Sequence, residues 1–279
     1  EACNFWHEYG IKRIVLAREL SLDDIRLIRA NVPDTLELEA FVHGSMCVSY
    51  SGRCLLSNYY TNRNANDGKC AQPCRWKYFI NEEKRQNDVL SAEQDNNGTY
   101  IFSSKDLCMI EHANDLLSCG INSLKIEGRM KSVYYTACVT NIYKLALADA
   151  AENKPFNPLY FDEINGVSHR EYCSGYFYSN PTDEANIVNT NEYLREKAFL
   201  CTITEYDVST GLAKCIQRNK MSIGDKIQIL SPGKLGKDIE ILTLYDAEMA
   251  EIQSTPHAKM EFYARFSLPS NSSDIIRAK

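Results

Sequence analysis

Four cysteines crowd one irregular stretch of this chain. Cys47, Cys54, Cys70 and Cys74 fall between Ser45 and Tyr78, where Gly, Asn, Ser and Cys dominate and neither a helical nor a strand period holds. A loop this long inside a folded domain is usually functional, and thiolates are the soft ligands that zinc and iron–sulfur clusters take. A zinc knot needs two close cysteine pairs. Only Cys70 and Cys74 form one, while Cys47 and Cys54 are spaced too widely. Irregular spacing that converges in space is the habit of an iron–sulfur cluster. Cys108 is a fifth candidate, expected at the start of a helix that follows a strand. A nucleophilic thiol needs a base and an orienting group. His43 is the only histidine nearby in sequence, and no Cys-His signature accompanies it. Cys3, Cys119, Cys138, Cys173, Cys201 and Cys215 read as small buried hydrophobes.

Charged residues form two further groups. "LKIEGRMKS" sets Lys125, Glu127, Arg129 and Lys131 at the carboxyl end of an expected strand, with Lys125 and Glu127 on one face by the two-residue period. The planar fork of Arg129 suits a carboxylate or phosphate, and a structural ion pair accounts for the same residues equally well. "ARELS" has the same look, with Arg18 and Glu19 directly after a strand. Between 50 and 80, Arg53, Arg63, Lys69, Arg75 and Lys77 face Asp67 alone, a local excess of four positive charges. Tyr50, Tyr59, Tyr60, Trp76 and Tyr78 are interleaved with them. Arginines beside aromatics suit single-stranded RNA, whose bases splay and stack. The same residues could instead wall off and neutralise an anionic cluster.

The elements that must hold these groups follow from periodicity. Ile14–Ala17 and 36–42 read as strands flanking a helix that starts at Ser21, an N-cap followed by acidic residues. Strands are also expected near 99–103 and 122–126. Helices are expected over "SSKDLCMIEHANDLLSCGI" and over a long stretch closed by Pro155. This alternation is half of a TIM barrel. The expected fold is α/β: a partial TIM-barrel-like domain over 1–157 with a Cys-rich loop at 44–78, a linking segment over 158–196, and a small all-β barrel over 197–279.

The chain has 279 residues, a formal net charge of -6, 44% hydrophobic and 24% charged residues, so it is long enough for a sizeable core. No apolar run is long enough to cross a bilayer. The acidic balance argues against coating nucleic acid by charge alone and leaves room for a local basic patch. The 11 cysteines, without a secretory signal, fit a reducing cytoplasm better than a disulfide framework. The chain opens in mid-pattern without Met, which reads as a fragment whose upstream half-barrel is absent. Exposed sheet edges then predict a partner, either that half or a homologous subunit.

"EAFVHGSMCVSYSGRCLLSNYYTNRNANDGKCAQPCRWKY", followed in order by "SSKDLCMIEH" and "SLKIEGRMKS", resembles the signature of the collagenase-like U32 peptidase family. "YCSGYFY" and the C-terminal strands are also similar to that family, so the resemblance covers nearly the whole chain. It implies a TIM-barrel-like catalytic domain and a four-iron, four-sulfur cluster on four cysteines. It implies hydroxylation of uridine in tRNA, of cytidine in ribosomal RNA or of the ubiquinone ring, with prephenate linked to the tRNA branch. "GKCAQPCRWKY" and the appended barrel look most like the tRNA branch, which makes tRNA the expected partner and 5-hydroxyuridine the expected product. Carried over by position, the ligands are Cys47, Cys54, Cys70 and Cys108, with Cys74 the alternative fourth. Arg53, Arg75 and Arg129 would hold an anionic donor or RNA phosphate, beside Lys125 and Glu127. The rival expectations are a peptidase acting on collagen-like or other peptides, which lacks H-E-x-x-H and G-x-S-x-G here, and a non-catalytic module that binds RNA or a partner.

Overall fold

Strand β2, Glu37–Ser45, organises the first half of the molecule. The computed structural model describes residues 1–47, 49–76, 94–95, 98–99, 104–178 and 197–279. They divide into two compact units: Glu1–Glu127 with the segment beginning at His169, and Gly128–Ser168 with the segment ending at Lys279. The units therefore interleave along the chain.

In the first unit, α1 (Ala2–Glu8) precedes β1 (Arg13–Val15) and α2 (Leu22–Ala30). Helix α2 starts in a capping box: Ser21 Oγ accepts the Asp24 N–H at 3.1 Å, and Asp24 Oδ2 accepts the Ser21 N–H at 3.0 Å. β2 alternates as a half-buried strand should, with Leu38, Ala40 and Val42 turned into the core. β1 runs parallel to its first half, from Arg13↔Glu37 to Val15↔Glu39. β6 (Ser123–Ile126) runs parallel along it from Glu39↔Ser123 to His43↔Ile126. The expected β–α–β beginning is present.

Other expectations change. Asp106–Cys108 forms a strand, β5, antiparallel to the end of β2 through His43↔Cys108 and Ser45↔Asp106. β7 (Tyr172–Cys173) pairs with β5, so the sheet is mixed. Cys108 therefore lies in a strand and not at the start of a helix. The helix of that stretch, α4, is short and covers Ala113–Ser118 after a 3₁₀ turn at Ile110–His112. "DLCMI" is a short apolar run that serves as buried strand or helix start alike, and the free end of β2 decides it. The Cys-rich segment, expected as a loop, contains α3 (Leu56–Thr61) and 3₁₀ turns at Ala65–Asp67 and Pro73–Arg75. A two-residue pair, β3 (Gln94–Asp95) with β4 (Gly98–Thr99), follows. Most of the strand expected near 99–103 lies outside the described residues.

The second unit joins two helices to an antiparallel sheet. α5 (Val133–Ala151) is capped by Ser132, whose Oγ accepts the Tyr135 N–H at 3.2 Å. α6 (Leu159–Asn165) falls in the segment read as a linker. The sheet is β8 (Phe199–Asp207), β9 (Leu212–Gln217), β10 (Ile227–Leu230), β11 (Lys237–Ile239), β12 (Ile241–Tyr245), β13 (Glu251–Ile252), β14 (Glu261–Phe266) and β15 (Ile275–Ala278). Its spatial order is β11-β10-β15-β8-β9-β14-β12-β13, a curled antiparallel half-barrel. No strand pairing joins β11 to β13 among the described residues, so the expected small barrel is open. Cys201, Ile203, Ala213, Cys215, Phe262 and Ala264 fill its core.

Arg277 of β15 has no exposed side-chain surface and pairs with Glu163 of α6 at 2.7 Å through each terminal nitrogen. Gln228 Oε1 accepts from Arg277 Nε at 3.1 Å, and Glu163 Oε1 accepts the Gly236 N–H at 3.0 Å. Burial pulls the guanidinium down, but the Glu163 hydrogen bond and the facing Tyr134 outweigh it and hold the group above its ordinary value. Burial pushes the Tyr134 phenol up to about 12 against the opposing Arg277 charge.

Candidate functional site

Parallel pairing places the carboxyl ends of β1, β2 and β6 on one edge of the first unit's sheet. The residues just past those ends meet there. Arg18 follows β1, Cys47 follows β2 and Glu127 follows β6, and all three line one cavity of about 160 Å3. Open α/β sheets put their chemistry at this edge. Gly44 permits the close approach: its φ is +103°, and a Cβ there would stand 2.1 Å from the Glu127 carbonyl oxygen. The Glu127 N–H in turn donates to the His43 carbonyl at 2.9 Å.

The irregular segment closes the other walls. Cys54, Cys70 and Cys74 line the same cavity as Cys47, together with Tyr50. The turn at Ser51–Arg53 is anchored by the Ser51 N–H, which donates to Glu19 Oε1 at 2.7 Å. The buried Ser57 hydroxyl of α3 accepts the Ala71 N–H at 3.0 Å and ties the helix to the loop that carries Cys70 and Cys74. Gln72 takes a left-handed conformation, φ 57°, and its N–H donates to Cys70 Sγ at 3.2 Å.

Charge in the cavity is balanced. Burial of its sulfur pushes the Cys47 thiol up, the neighbouring Cys54 and Cys70 push it further, and the Ser49 N–H and Arg18 oppose them. Binding a metal here would require the thiolate and release the Cys47 proton. Burial pulls the Arg18 guanidinium down, against the charges of Glu127, Cys47 and Glu19. Arg18 also lies over the Phe41 ring at 3.8 Å.

The donor set is all thiol, the soft ligand type that iron–sulfur clusters take. No three His, Cys, Asp or Glu side chains gather closely enough to hold one metal ion among the described residues. Four thiols nevertheless line one cavity, and two of them receive backbone N–H bonds. In a four-iron cluster each thiolate binds a different iron, so its ligands stand further apart than those around zinc, and N–H bonds to sulfur tune it.

The other residues singled out from the sequence are placed as follows. Cys108 is buried in β5 and does not line the cavity. Lys125 pairs with Glu39 at 3.6 Å and sits over Phe41, the structural ion pair weighed above, while Glu127 faces the thiols. Arg53 is exposed in its turn, and the side chain of Arg75 lies outside the described residues, as do Lys77 and Tyr78. Arg129 is exposed in the second unit, in the turn before α5. The backbone donors of Ser49 and Gln72 escaped sequence reasoning, since no residue type signals a backbone N–H. Arg18 carried a signal in its position just past a strand.

Comparison with known proteins agrees on the family. The profile of peptidase family U32 matches residues 1–187, and that of the family's C-terminal domain matches residues 195–277. The tRNA hydroxylation protein P of Escherichia coli is 33% identical, covering 93% of this chain and 65% of that protein. The tRNA hydroxylation protein P1 of Bacillus subtilis is 35% identical, over 92% of this chain and 61% of its own length. A protein named collagenase from Porphyromonas gingivalis is 30% identical over 83% of this chain and 58% of its own length. The chain thus spans less than two thirds of the length of these relatives. With both profiles matched in order along the sequence, the chain belongs to peptidase family U32.

Proposed function

We propose that this chain carries the cluster-binding part of an RNA hydroxylation protein, with uridine of tRNA as substrate and 5-hydroxyuridine as product. The observation that carries the reading is the convergence of Cys47, Cys54, Cys70 and Cys74 on one cavity beside Arg18 and Glu127. The names of the relatives in Escherichia coli and Bacillus subtilis support the substrate class. Cys47, Cys54 and Cys70 would hold a four-iron, four-sulfur cluster, with Cys108 or Cys74 as the fourth ligand. When bound, such a cluster supplies one-electron transfer. The Ser49 and Gln72 N–H groups donate to the sulfurs of Cys47 and Cys70, and Arg18 brings a positive charge to the same cavity. Arg53 and Arg75 are assigned to an anionic co-substrate such as prephenate or to RNA phosphate, and Arg129, in the other unit, to RNA phosphate on its own. The β/α strands are read as an arc of a TIM-like barrel, since Arg18, Cys47 and Glu127 all sit past the carboxyl ends of parallel strands.

A cysteine-peptidase reading has the family's name in its favour. No histidine is among the described residues that line the cavity to serve as the base such a thiol needs, which weighs against it. Anaerobic purification with iron and sulfide analysis, paired with the tRNA modification profile of a deletion strain, tests the reading. A colourless protein with one tightly bound zinc, or an unchanged 5-hydroxyuridine level, would sink it.

A further inference from the structure

Three aromatic side chains stand exposed on the outside of the cysteine segment. Tyr59 is 81% exposed, Tyr60 49% and Trp76 42%. They form a continuous row: Tyr59 and Tyr60 meet edge to face at 5.1 Å between centroids, and Tyr60 and Trp76 are tilted at 6.1 Å. Large exposed rings in contact with one another ask for an explanation, because apolar surface that gathers in a patch usually meets a partner.

The row is built on the frame of the thiol cavity. α3, which carries Tyr59 and Tyr60, begins at Leu56, and both Leu56 and Cys74 line the cavity. Trp76 follows Cys74 by two positions, and its N–H donates to the Pro73 carbonyl at 2.9 Å. The bond from the Ala71 N–H to the Ser57 hydroxyl locks α3 to that loop. Around the rings the chain is basic. Arg53, Arg63 and Lys69 are all exposed, and Asp67 is the one acid among the described residues of the segment 49–76, in a chain whose net charge is -6. Positive charge beside solvent-facing rings complements a strand whose phosphates are exposed and whose bases are unstacked. A paired duplex hides its base faces, and an acidic or neutral protein surface would not call for both features together.

We infer that Tyr59, Tyr60 and Trp76 form a stacking platform for unpaired bases of an RNA loop, with Arg53, Arg63 and Lys69 holding its phosphates. The inference rests on the proposed RNA reading and deepens it. The platform delivers a splayed nucleotide next to the thiol cavity, and it selects for loop geometry more than for sequence, because every base has a stackable face.

The test uses the intact protein and a fluorescein-labelled anticodon stem-loop RNA, read by anisotropy, with a paired duplex of equal length for comparison. The wild type should prefer the stem-loop. Tyr59→Ala and Trp76→Ala should each weaken binding by about tenfold, the size of a lost base stack. Tyr59→Phe and Trp76→Phe keep a ring and should bind like wild type, which separates stacking from folding. Arg63→Ala should lower the slope of log affinity against log salt by about one. Iron content should stay unchanged throughout. Wild-type affinity in both alanine variants overturns the platform and leaves the RNA reading standing. Unchanged affinity with a lowered melting temperature assigns the rings to packing against protein and overturns it as well. A wild type that binds no stem-loop overturns the RNA reading and the platform with it.

Discussion

The cysteines were readable because their chemistry lies in the residue type, and four of them at irregular spacing had few other uses. What the residues could not announce is how the backbone serves them. The left-handed turn at Gln72 that aims an N–H at Cys70 is a property of φ and ψ, and Gly44 earns its place only because the Glu127 carbonyl passes 2.1 Å from where a Cβ would be. Gly44→Ala is expected to destabilise the protein by more than about 1 kcal/mol, from the left-handed backbone alone before the clash is counted, as a lowered urea midpoint. Cys47→Ser should abolish bound iron and visible absorbance while leaving the far-UV circular dichroism unchanged, because Cys47 lies past the end of β2 and is not among the buried core residues. Comparing iron content in Cys74→Ser and Cys108→Ser assigns the fourth ligand.

At the scale of elements, strands with clean alternation were legible and short apolar runs were not. Leu38, Ala40 and Val42 mark β2 directly, whereas the run through Cys108 takes its strand form from pairing with His43–Ser45, which only the folded sheet supplies. α6 was missed because a seven-residue helix after Pro158 shows less than two full turns of pattern. The turn between β8 and β9 is built on Ser209, Thr210 and Gly211. There the Ser209 hydroxyl first, then the Thr210 hydroxyl and the Ser209 N–H, hold the exposed Asp207 carboxyl down at about 2. A carboxyl held low in the folded state stabilises above its unfolded value, and that contribution is lost as pH falls through about 2. The stability difference between wild type and Asp207→Asn should therefore be constant from neutral pH to about 5 and shrink between about 4 and 2, measured by denaturation at each pH.

At the scale of the molecule, α/β character and an appended antiparallel sheet were legible, and four of the cysteines singled out line one cavity. The interleaving of the two units was not legible, because periodicity reports local faces and carries nothing about which distant element each face meets. The ion pair of Arg277 with Glu163 joins residues 114 positions apart in sequence. Arg277→Met leaves Glu163 buried without its partner and should cost about 3–5 kcal/mol, seen as a fall in the denaturation midpoint. The double variant Arg277→Met, Glu163→Leu should recover much of that loss, and a double variant no better than the single would show that the charge itself is needed. The clasp also limits how this chain can be recombined. A C-terminal domain exchanged between relatives at the boundary of the two family profiles would bring Arg277 into a host that must supply the carboxylate itself. Glu163 and Arg277 must be inherited as one character, so chimeras that keep both from the same parent should yield soluble protein and those that split them should not.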